Sequence, residues 1–433
     1  MNIRNGVVAT LVLVMALAGC GGKGGGKGGD AKIRLLNLSS GYGTLDMITN
    51  LDEDDNDEDK TQASSVALNA ISAYATLDAD TYTIKLKRTG SGSILRSFTG
   101  QQLVADTVNT YVGYGEVGQF GALLIDDTAD PADAGSNKLS VANVSSAGAL
   151  DVYLTDADTN LTDTTPVLSS VGSSLAALST DSGTRRLRVT AAGDNTDVRL
   201  DVESFSLPDK GVGTLILTST QGGTLANAIY LPQGGEPARI LNSKARLRGA
   251  VALANGANAS VRAGGKTVLT ATTAGVIGSR YTLLDAGSVP VTLSVNGTDV
   301  AVPELTLTAG ADYTLLVWSD ANGPRTTLIV DDNRLPASGS SVKLRLLNGM
   351  STLAAPLTLS VDFSPLIEGT PTGQASDPVE TQGTSDSQFD VSNTSTAAAV
   401  LTRTGITLQS GSVYTFFMTD NGATPIGVLR RDR

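Results

Sequence analysis

Two acidic stretches of the chain carry side chains at the alternating spacing of calcium ligands. The oxygen-bearing positions are Asp52, Asp54, Asn56 in the first stretch and Asp156, Asp158, Asn160 in the second. Alternate Asp and Asn side chains of this kind can bind Ca²⁺ in a tight loop. In the first stretch, however, the glycine that such a loop needs at its sixth position is Asp57, and the glutamate at its twelfth is Ala63. A calcium loop and a solvated loop between strands both remain open, and we assign no metal site.

A second acidic feature is a pair of adjacent aspartates that occurs twice at a fixed place in the chain. Asp126-Asp127 and Asp331-Asp332 each follow an apolar run and precede a proline-containing segment. Two neighbouring carboxylates at such a junction could bind a cation. Aspartate also forms Asx turns with nearby backbone N–H groups, so this second interpretation stays open beside the first.

The residue types that the sequence lacks exclude several kinds of catalytic site. The chain has no histidine and a single cysteine, Cys20. It therefore lacks the usual general base, the commonest metal ligand, and the Ser-His-Asp and Cys-His arrangements. Two carboxylates could hydrolyse glycosides without histidine, but no pair stands out. We therefore expect no enzymatic activity and no cofactor.

Cys20 lies where a lipid attachment site would. Residues 7–18 form an apolar run too short to span a bilayer, and the run ends in the letters LAGC, which resemble a bacterial lipobox. We therefore expect a lipoprotein signal peptide over residues 1–19 and a lipidated Cys20. Residues 20–30 then form a glycine-rich tether. Gly21 follows Cys20, which favours the outer membrane over the inner one if the organism is Gram-negative.

Four repeats follow the tether. Each opens on a similar apolar strand, and the openings are about 100 residues apart, the length of an ordinary domain. The predicted modules are residues 31–130, 136–235, 243–335 and 341–433. Proline- and glycine-containing linkers are predicted at residues 128–136, 232–242 and 333–339. Short β-branched strands, glycine-rich turns and the absence of disulfides predict an all-β protein of tandem immunoglobulin-like β-sandwich modules.

Each repeat also closes alike, on two apolar strands around a polar turn. A leucine stands seven residues before a threonine in every closing: Leu103/Thr110, Leu207/Thr214, Leu307/Thr314 and Leu408/Thr415. In the third and fourth repeats Tyr313 and Tyr414 complete the Leu-x-x-Gly-x-x-Tyr spacing of a tyrosine corner, in which a buried ring is fixed by a hydrogen bond to the backbone just upstream. We predict that both tyrosines are structural.

Strand alternation places Thr314, Leu316 and Trp318 on the face of their strand that points away from the core of their own repeat. Phe417 in the fourth repeat and Tyr114 in the first are likewise predicted to point away from the core of their own repeat. An apolar outer face can bind a partner, or it can pack against a loop or a neighbouring module. The sequence leaves both interpretations open.

The segment from Leu305 to Gly349 resembles the bacterial domain-of-unknown-function family numbered 4397. The likeness lies in a Leu-x-Ala-Gly-x-x-Tyr-Thr strand, a short hairpin, an Asp-Asp pair, a proline linker and a new arginine-containing strand. The next strand of the family is matched by SSGYGTLDMIT from Ser39 and SSAGALDVYLT from Ser145. Two departures stand out: the histidine common at the end of the family's first strand is Asn37, Asn143, Val251 or Asn348 here, and an acidic insertion follows Asn50. The resemblance implies secreted or envelope-attached sandwich modules and no particular activity.

Together these features predict a non-enzymatic lipoprotein of the cell envelope that acts as a structural, adhesive or protein-binding array of modules. The alternative is a carbohydrate-binding surface lipoprotein, although aromatic residues make up only 4 % of the chain. A formal net charge of −12 argues against nucleic acid as a partner. The expected partners are the membrane, through the lipid anchor alone, and an envelope protein or glycan.

Overall fold

The computed structural model of the chain describes residues 28–51, 58–254, 256–353, 355–422 and 424–433. The predicted signal peptide, Cys20, most of the tether and the calcium-like residues Asp52, Asp54 and Asn56 lie outside these ranges. Among the described residues, no helix is both long and apolar enough to cross a membrane. The described chain is built almost entirely of β-strands.

The strands form four groups, which we call modules 1 to 4. Module 1 contains β1 (Asp30–Leu38), β2 (Thr44–Leu51), β3 (Lys60–Ala67), β4 (Ala75–Asp78), β5 (Thr81–Arg88), β6 (Ile94–Gln102), β7 (Val108–Tyr114) and β8 (Gly121–Asp126). Module 2 contains β9 (Ser136–Asn143), β10 (Leu150–Thr155), the 3₁₀ turn η1 (Leu161–Asp163), β11 (Leu168–Val171), β12 (Ala176–Asp181), β13 (Gly183–Ala191), β14 (Asp194–Leu207), β15 (Gly211–Ser219), β16 (Ala226–Pro232) and β17 (Ala238–Ile240).

Module 3 contains β18 (Lys244–Ala252), β19 (Asn258–Ala263), β20 (Lys266–Thr273), β21 (Val276–Ile277), β22 (Thr282–Asp285), β23 (Gly287–Val289), β24 (Val291–Val295), β25 (Thr298–Val300), β26 (Leu305–Leu307), β27 (Asp312–Asp320) and β28 (Gly323–Asp331). Module 4 contains β29 (Ser341–Asn348), β30 (Leu357–Val361), β31 (Ser364–Thr370), β32 (Gln374–Ala375), β33 (Val379–Gln382), β34 (Thr384–Asn393), β35 (Ala399–Leu408), β36 (Val413–Asp420) and β37 (Pro425–Arg431).

Each module is a sandwich of two main sheets with a repeated topology. One sheet holds the opening strand and the closing hairpin, in the order β4-β1-β7-β8 in module 1 and β32-β29-β36-β37 in module 4. The opening strand runs parallel to the first strand of that hairpin, so that Arg34 of β1 lies opposite Thr110 of β7. The second sheet is β3-β2-β5-β6 in module 1 and β31-β30-β34-β35 in module 4. The prediction of an all-β protein of tandem sandwich modules is confirmed.

The opening strand of each module is buried on both faces. In β1, Ile33 and Leu35 point into the core of module 1, together with Leu45 and Ile84 of the opposite sheet. Because successive side chains of a strand point to opposite faces, Leu36 of the same strand points outward. Leu36 belongs to a separate apolar cluster that module 1 shares with module 2. The opening strand therefore contributes one face to the core of its own module and the other face to the contact with the neighbouring module.

The modules are packed in two pairs through these outward faces. Modules 1 and 2 share a cluster formed by Leu36, Leu38, Val112, Leu123, Ile125, Ala142, Ile216, Ile229 and Leu231. Modules 3 and 4 share one formed by Ala250, Ala252, Ile277, Leu316, Ile329, Leu347 and Phe417, with Trp318 at its side. Of the two interpretations of the apolar outer face, contact with a neighbouring module is confirmed and a free binding surface is wrong.

Two smaller sequence predictions have clear outcomes. The tyrosine corners are confirmed, since the backbone N–H of Thr308 donates to the Tyr313 hydroxyl at 2.9 Å and that of Gln409 donates to the Tyr414 hydroxyl at 3.0 Å. The predicted linker at residues 232–242 is partly wrong. Its residues Ala238–Ile240 form β17, which pairs with β16 and extends the sheet of module 2. That pairing gives the backbone of this segment hydrogen-bond partners within the sheet.

Candidate functional site

A buried arginine, a threonine and an aspartate form one repeated motif in modules 1, 3 and 4. In module 1, Arg34 of β1 donates through Nε to Thr110 Oγ1 at 2.8 Å and through Nη2 to Asp127 Oδ2 at 3.1 Å. Arg34 is 2 % exposed and Asp127 is 6 % exposed. A buried ion pair of this kind needs hydrogen bonds to all its charged groups, and the threonine hydroxyl supplies one of them.

In modules 3 and 4 the same motif is exchanged between the two modules. Arg248 of module 3 binds Asp432 of module 4 at 2.5 Å, and Arg345 of module 4 binds Asp331 of module 3 at 2.6 Å. Each aspartate also accepts a hydrogen bond from the threonine of its own module, Thr415 or Thr314. The shortest ion pair of each arginine is therefore made to the partner module, while Arg248 also lies 3.5 Å from Asp331 of its own module.

A tyrosine covers the arginine of the motif in modules 1 and 3. The guanidinium carbon of Arg34 lies 4.4 Å from the ring centroid of Tyr74, and that of Arg248 lies 4.9 Å from the ring centroid of Tyr281. The Tyr281 hydroxyl donates to Asp331 at 2.6 Å. Burial, together with the charge of Asp331, raises the pKa of Tyr281 well above its usual range. The tyrosine therefore stays protonated and acts as a hydrogen-bond donor.

The two module pairs contact each other, and a cleft lies where module 2 meets modules 3 and 4. The backbone N–H of Gly222 in module 2 donates to the carbonyl of Gly310 in module 3 at 3.0 Å. Beside this contact is a cavity of about 570 Å³ whose lining includes three aspartates, Asp194, Asp197 and Asp432, and four arginines, Arg199, Arg246, Arg280 and Arg433. We call the four arginines and the cavity they line the arginine cleft.

Two arginines of the cleft, Arg246 and Arg199, each form an ion pair with an aspartate. Arg246 makes a two-pronged ion pair with Asp312, at 2.7 Å for both nitrogen–oxygen contacts. Arg199, which is 9 % exposed, donates to Asp197 at 2.6 Å. Its Nε is nevertheless buried without a hydrogen-bond partner. Arg199 therefore keeps one unused, buried donor.

Arg433 differs from these two because it has no acidic partner. Its Nη1 donates to two backbone carbonyls, of Gly223 at 2.6 Å and Asn333 at 3.0 Å. Among the described residues, no ion pair joins its side chain to a carboxylate. Burial, with the positive charges of Arg199 and Arg246 nearby, lowers the pKa of Arg433 to about 10. A cation destabilised in this way would be stabilised by a bound anion.

Arg280 lies at the exposed side of the cleft. The side chain is solvent-exposed, and its charge contributes to lowering the pKa of Asp194, after the larger effect of the Thr196 hydrogen bonds. The arginine cleft thus combines a half-buried cation without an ion-pair partner among the described residues, a buried unused donor and an exposed cation. In a chain of net charge −12, this is a site at which a carboxylate or another small anion could bind.

Several of the acidic residues singled out by the sequence have structural roles in the described part of the chain, whereas Asp52 and Asp54 lie outside it. In module 2, Asp156 pairs with Arg185 at 2.8 Å, and Asn160 caps the turn η1. No group of three or more metal-ligating side chains occurs in the described part of the chain. Of the Asp-Asp pairs, Asp126 and Asp332 make the expected Asx turns, accepting from the N–H groups of residues 128 and 334. The other member of each pair, Asp127 or Asp331, belongs to the buried motif.

The asparagines that replace the family's histidine also have structural roles. Asn37 is fully buried, donates to the carbonyl of Val66 at 2.8 Å and accepts from the N–H of Ser39 at 2.9 Å. Asn348 makes the matching contacts in module 4, with the carbonyl of Thr370 and the N–H of Met350. These amides fix the end of the opening strand.

Sequence reasoning missed the buried arginines, although a signal for them exists. Each motif has its aspartate 17 residues after its threonine, at Thr110/Asp127, Thr314/Asp331 and Thr415/Asp432. An arginine also stands at the same position of the opening strand in each of these three modules. A charged residue at a fixed place in repeated apolar strands indicates a buried ion pair, because an isolated buried charge is costly.

The described chain is a tandem β-sandwich protein in which buried arginine–aspartate pairs lie within module 1 and join module 3 to module 4. Residues 31–153, which span module 1 and the first two strands of module 2, match the family described as domain of unknown function (DUF4397). The resemblance to this family predicted from the sequence is therefore confirmed over residues 31–153. The family description assigns no activity.

Two further comparisons were made. A search of curated proteins found no match. Among solved structures, the chain is similar to CBMbc, a family CBM26 module from Eubacterium rectale Amy13K, in complex with maltoheptaose. The identity is 12 % and the TM-score 0.15, and the match covers 44 % of this chain and 92 % of that one.

Proposed function

We propose that the protein is a non-enzymatic lipoprotein of the cell envelope that binds an acidic partner in the arginine cleft. Cys20 carries the lipid anchor, residues 20–30 form the tether, and the four modules form one scaffold beyond it. The membrane is the outer one if the organism is Gram-negative. The observation that carries the binding proposal is Arg433, a half-buried arginine near Arg199 and Arg246 whose side chain makes no ion pair with a carboxylate among the described residues.

The cleft requires several modules at once. Arg199 belongs to module 2, Arg246 to module 3, and Arg433 follows the last strand of module 4. A single module therefore carries only part of the site. We therefore expect binding by the whole chain and none by isolated modules.

The binding test is a calorimetric titration of the full-length protein in neutral detergent micelles. The probes are a glutamate-rich peptide, an acidic polysaccharide and neutral maltoheptaose. We expect the acidic peptide to bind. Binding of neutral maltoheptaose alone would instead support the alternative function, a carbohydrate-binding surface lipoprotein, and binding of the acidic polysaccharide alone would make the partner an acidic glycan.

Two substitutions make this test specific. Arg433→Gln should weaken binding of the acidic peptide by about tenfold or more, because a hydrogen bond to a charged group contributes about 1.5–3 kcal/mol. Arg403→Gln removes an exposed arginine of β35, outside the cleft, and should change the affinity less than about twofold. Equal effects of the two substitutions would mean that the cleft is not the site.

The anchor is tested separately. Cys20→Ser removes the thiol that would receive the lipid, so the variant should not incorporate a labelled fatty acid and should leave the membrane fraction of cells. Lipid labelling that persists in Cys20→Ser would refute the anchor at this residue. It would leave the proposal about binding in the arginine cleft unchanged.

A further inference from the structure

A second cavity, of about 470 Å³, lies between modules 1 and 2, away from the arginine cleft. Its lining includes Asp126 and Asp127 from module 1 and Ser140, Thr214 and Gln233 from module 2. The apolar cluster shared by these two modules lies beside it, since Ile125 of that cluster also lines the cavity.

The repeat shows what fills the corresponding space in the other module pair. Ser140 of β9 lies opposite Thr214, as Arg345 of β29 lies opposite Thr415. Ser140 is therefore the counterpart of Arg345. In module 2 a serine of two heavy side-chain atoms stands where module 4 has an arginine.

The groups that bind Arg345 have counterparts around the cavity. Arg345 donates to Asp331 Oδ1 at 2.6 Å, to the carbonyl of Val330 at 3.1 Å and to Thr415 Oγ1 at 2.8 Å. The strand registers make Asp127 and Asp126 of module 1 the counterparts of Asp331 and Val330. Thr214 is the counterpart of Thr415. The receptor for a guanidinium group is thus retained, while the arginine itself is lost.

Two acceptors at the cavity have no donor. Arg34, Thr110 and Tyr74 all contact Oδ2 of Asp127, which leaves Oδ1 without a donor among the described residues. The Gln233 side chain donates through Nε2 to the carbonyl of Ala129, but its Oε1 is buried with no partner. The buried Gln233 oxygen carries a desolvation cost, which a ligand that donates to it would remove, and Asp127 Oδ1 remains open to a donor.

From this correspondence we propose that the cavity between modules 1 and 2 binds a guanidinium group presented by a ligand. The guanidinium takes the place of the missing arginine: its planar fork meets the Asp127 carboxylate, the carbonyl of Asp126 and the Thr214 hydroxyl. Lys138 also lines the cavity, but its Nζ donates to the carbonyl of Asp130 at 2.9 Å. An arginine side chain of a peptide and a free alkylguanidine share this chemistry.

The test is calorimetric titration of the full-length protein in neutral detergent micelles with three small probes. N-acetyl-arginine amide represents a peptide side chain, agmatine a free alkylguanidine, and N-acetyl-citrulline amide a neutral group of nearly the same shape. We expect at least one guanidinium probe to bind about tenfold or more tightly than the citrulline probe, and the tighter of the two identifies the source. Binding of the citrulline probe as tight as that of the tighter guanidinium probe, or no binding of either guanidinium probe, would overturn the proposal.

One substitution tests the place of binding without weakening the fold. Ser140→Arg supplies the chain's own guanidinium, so it should abolish probe binding and raise the melting temperature of the protein. Ser64→Arg is the matched control, since it adds the same charge at an exposed position of β3 and should leave probe binding unchanged. Undiminished binding in Ser140→Arg would refute the site. Arg433→Gln should not alter this binding, so the proposal stands or falls independently of the arginine cleft.

Discussion

The exchanged ion pairs predict that modules 3 and 4 unfold as one unit, and Asp331→Asn is the substitution that tests this most directly. Asp331 is 1 % exposed and accepts hydrogen bonds from Arg345, Thr314 and Tyr281, while Arg248 Nε lies 3.5 Å away. Burial alone would raise the pKa of this carboxyl, but Arg345 and Arg248 lower it. Asparagine keeps the size of the side chain and removes its charge.

The expected effect follows from the charge that is left behind. Without the Asp331 carboxylate, Arg345 keeps no acidic partner within ion-pair distance among the described residues, although its guanidinium stays buried. Removing one partner of a buried pair costs about 3–5 kcal/mol. Because asparagine retains one acceptor, we expect about 3 kcal/mol, which corresponds to a shift of about 1 M or more in the urea midpoint.

Tryptophan fluorescence gives a specific assay. Trp318 is the chain's only tryptophan. It packs beside the cluster shared by modules 3 and 4, and it covers Gly373 of module 4 closely enough that an added Cβ would lie 2.3 Å from its ring. Urea unfolding followed at Trp318 therefore reports on this interface within the full chain.

A matched control and a second substitution complete the test. Asp299→Asn changes an exposed aspartate of module 3 and should alter stability by about 0.5 kcal/mol or less. Combining Asp331→Asn with Arg345→Met should cost less than the sum of the two single changes, because the residues form one pair. A midpoint for Asp331→Asn that matches the Asp299→Asn control would refute the reasoning.

Two further predictions concern the same module pair. Tyr414→Phe leaves the N–H of Gln409 without its acceptor and should lower the free energy of unfolding by about 1 kcal/mol, measured at Trp318 in the full chain; an unchanged midpoint would contradict a structural role. For Asp332, burial raises the pKa, but hydrogen bonds and charges from neighbouring basic residues outweigh it and lower the pKa to about 2 from 3.8. Its carboxylate therefore contributes about 2 kcal/mol of stability above pH 4 that is lost as the pH falls toward 2, so the stability of Asp332→Asn should fall less over this interval than that of the wild type.

The local structure could be predicted from the sequence because its signals are local. The repeated strands, the spacing of leucine and threonine in each closing, and the Leu-x-x-Gly-x-x-Tyr pattern predicted sandwich modules and the tyrosine corners of Tyr313 and Tyr414. Alternation along β27 also predicted that Trp318 faces away from its own core. These features depend on side-chain direction and turn geometry within a few strands, which neighbouring residues determine.

Only the tertiary structure shows which module packs against the outward face of each opening strand and which residues pair across that contact. Arg248 and Asp432 are 184 residues apart, and nothing near either residue indicates its partner. The exchange arises because two modules with the same strand pattern pack equivalent strands against each other. The arginine of one module then lies nearest the aspartate of the other. Where module 2 has Ser140 in place of arginine, the same packing leaves a cavity. The choice of partner depends on how whole sheets pack, and that information is spread over the entire interface.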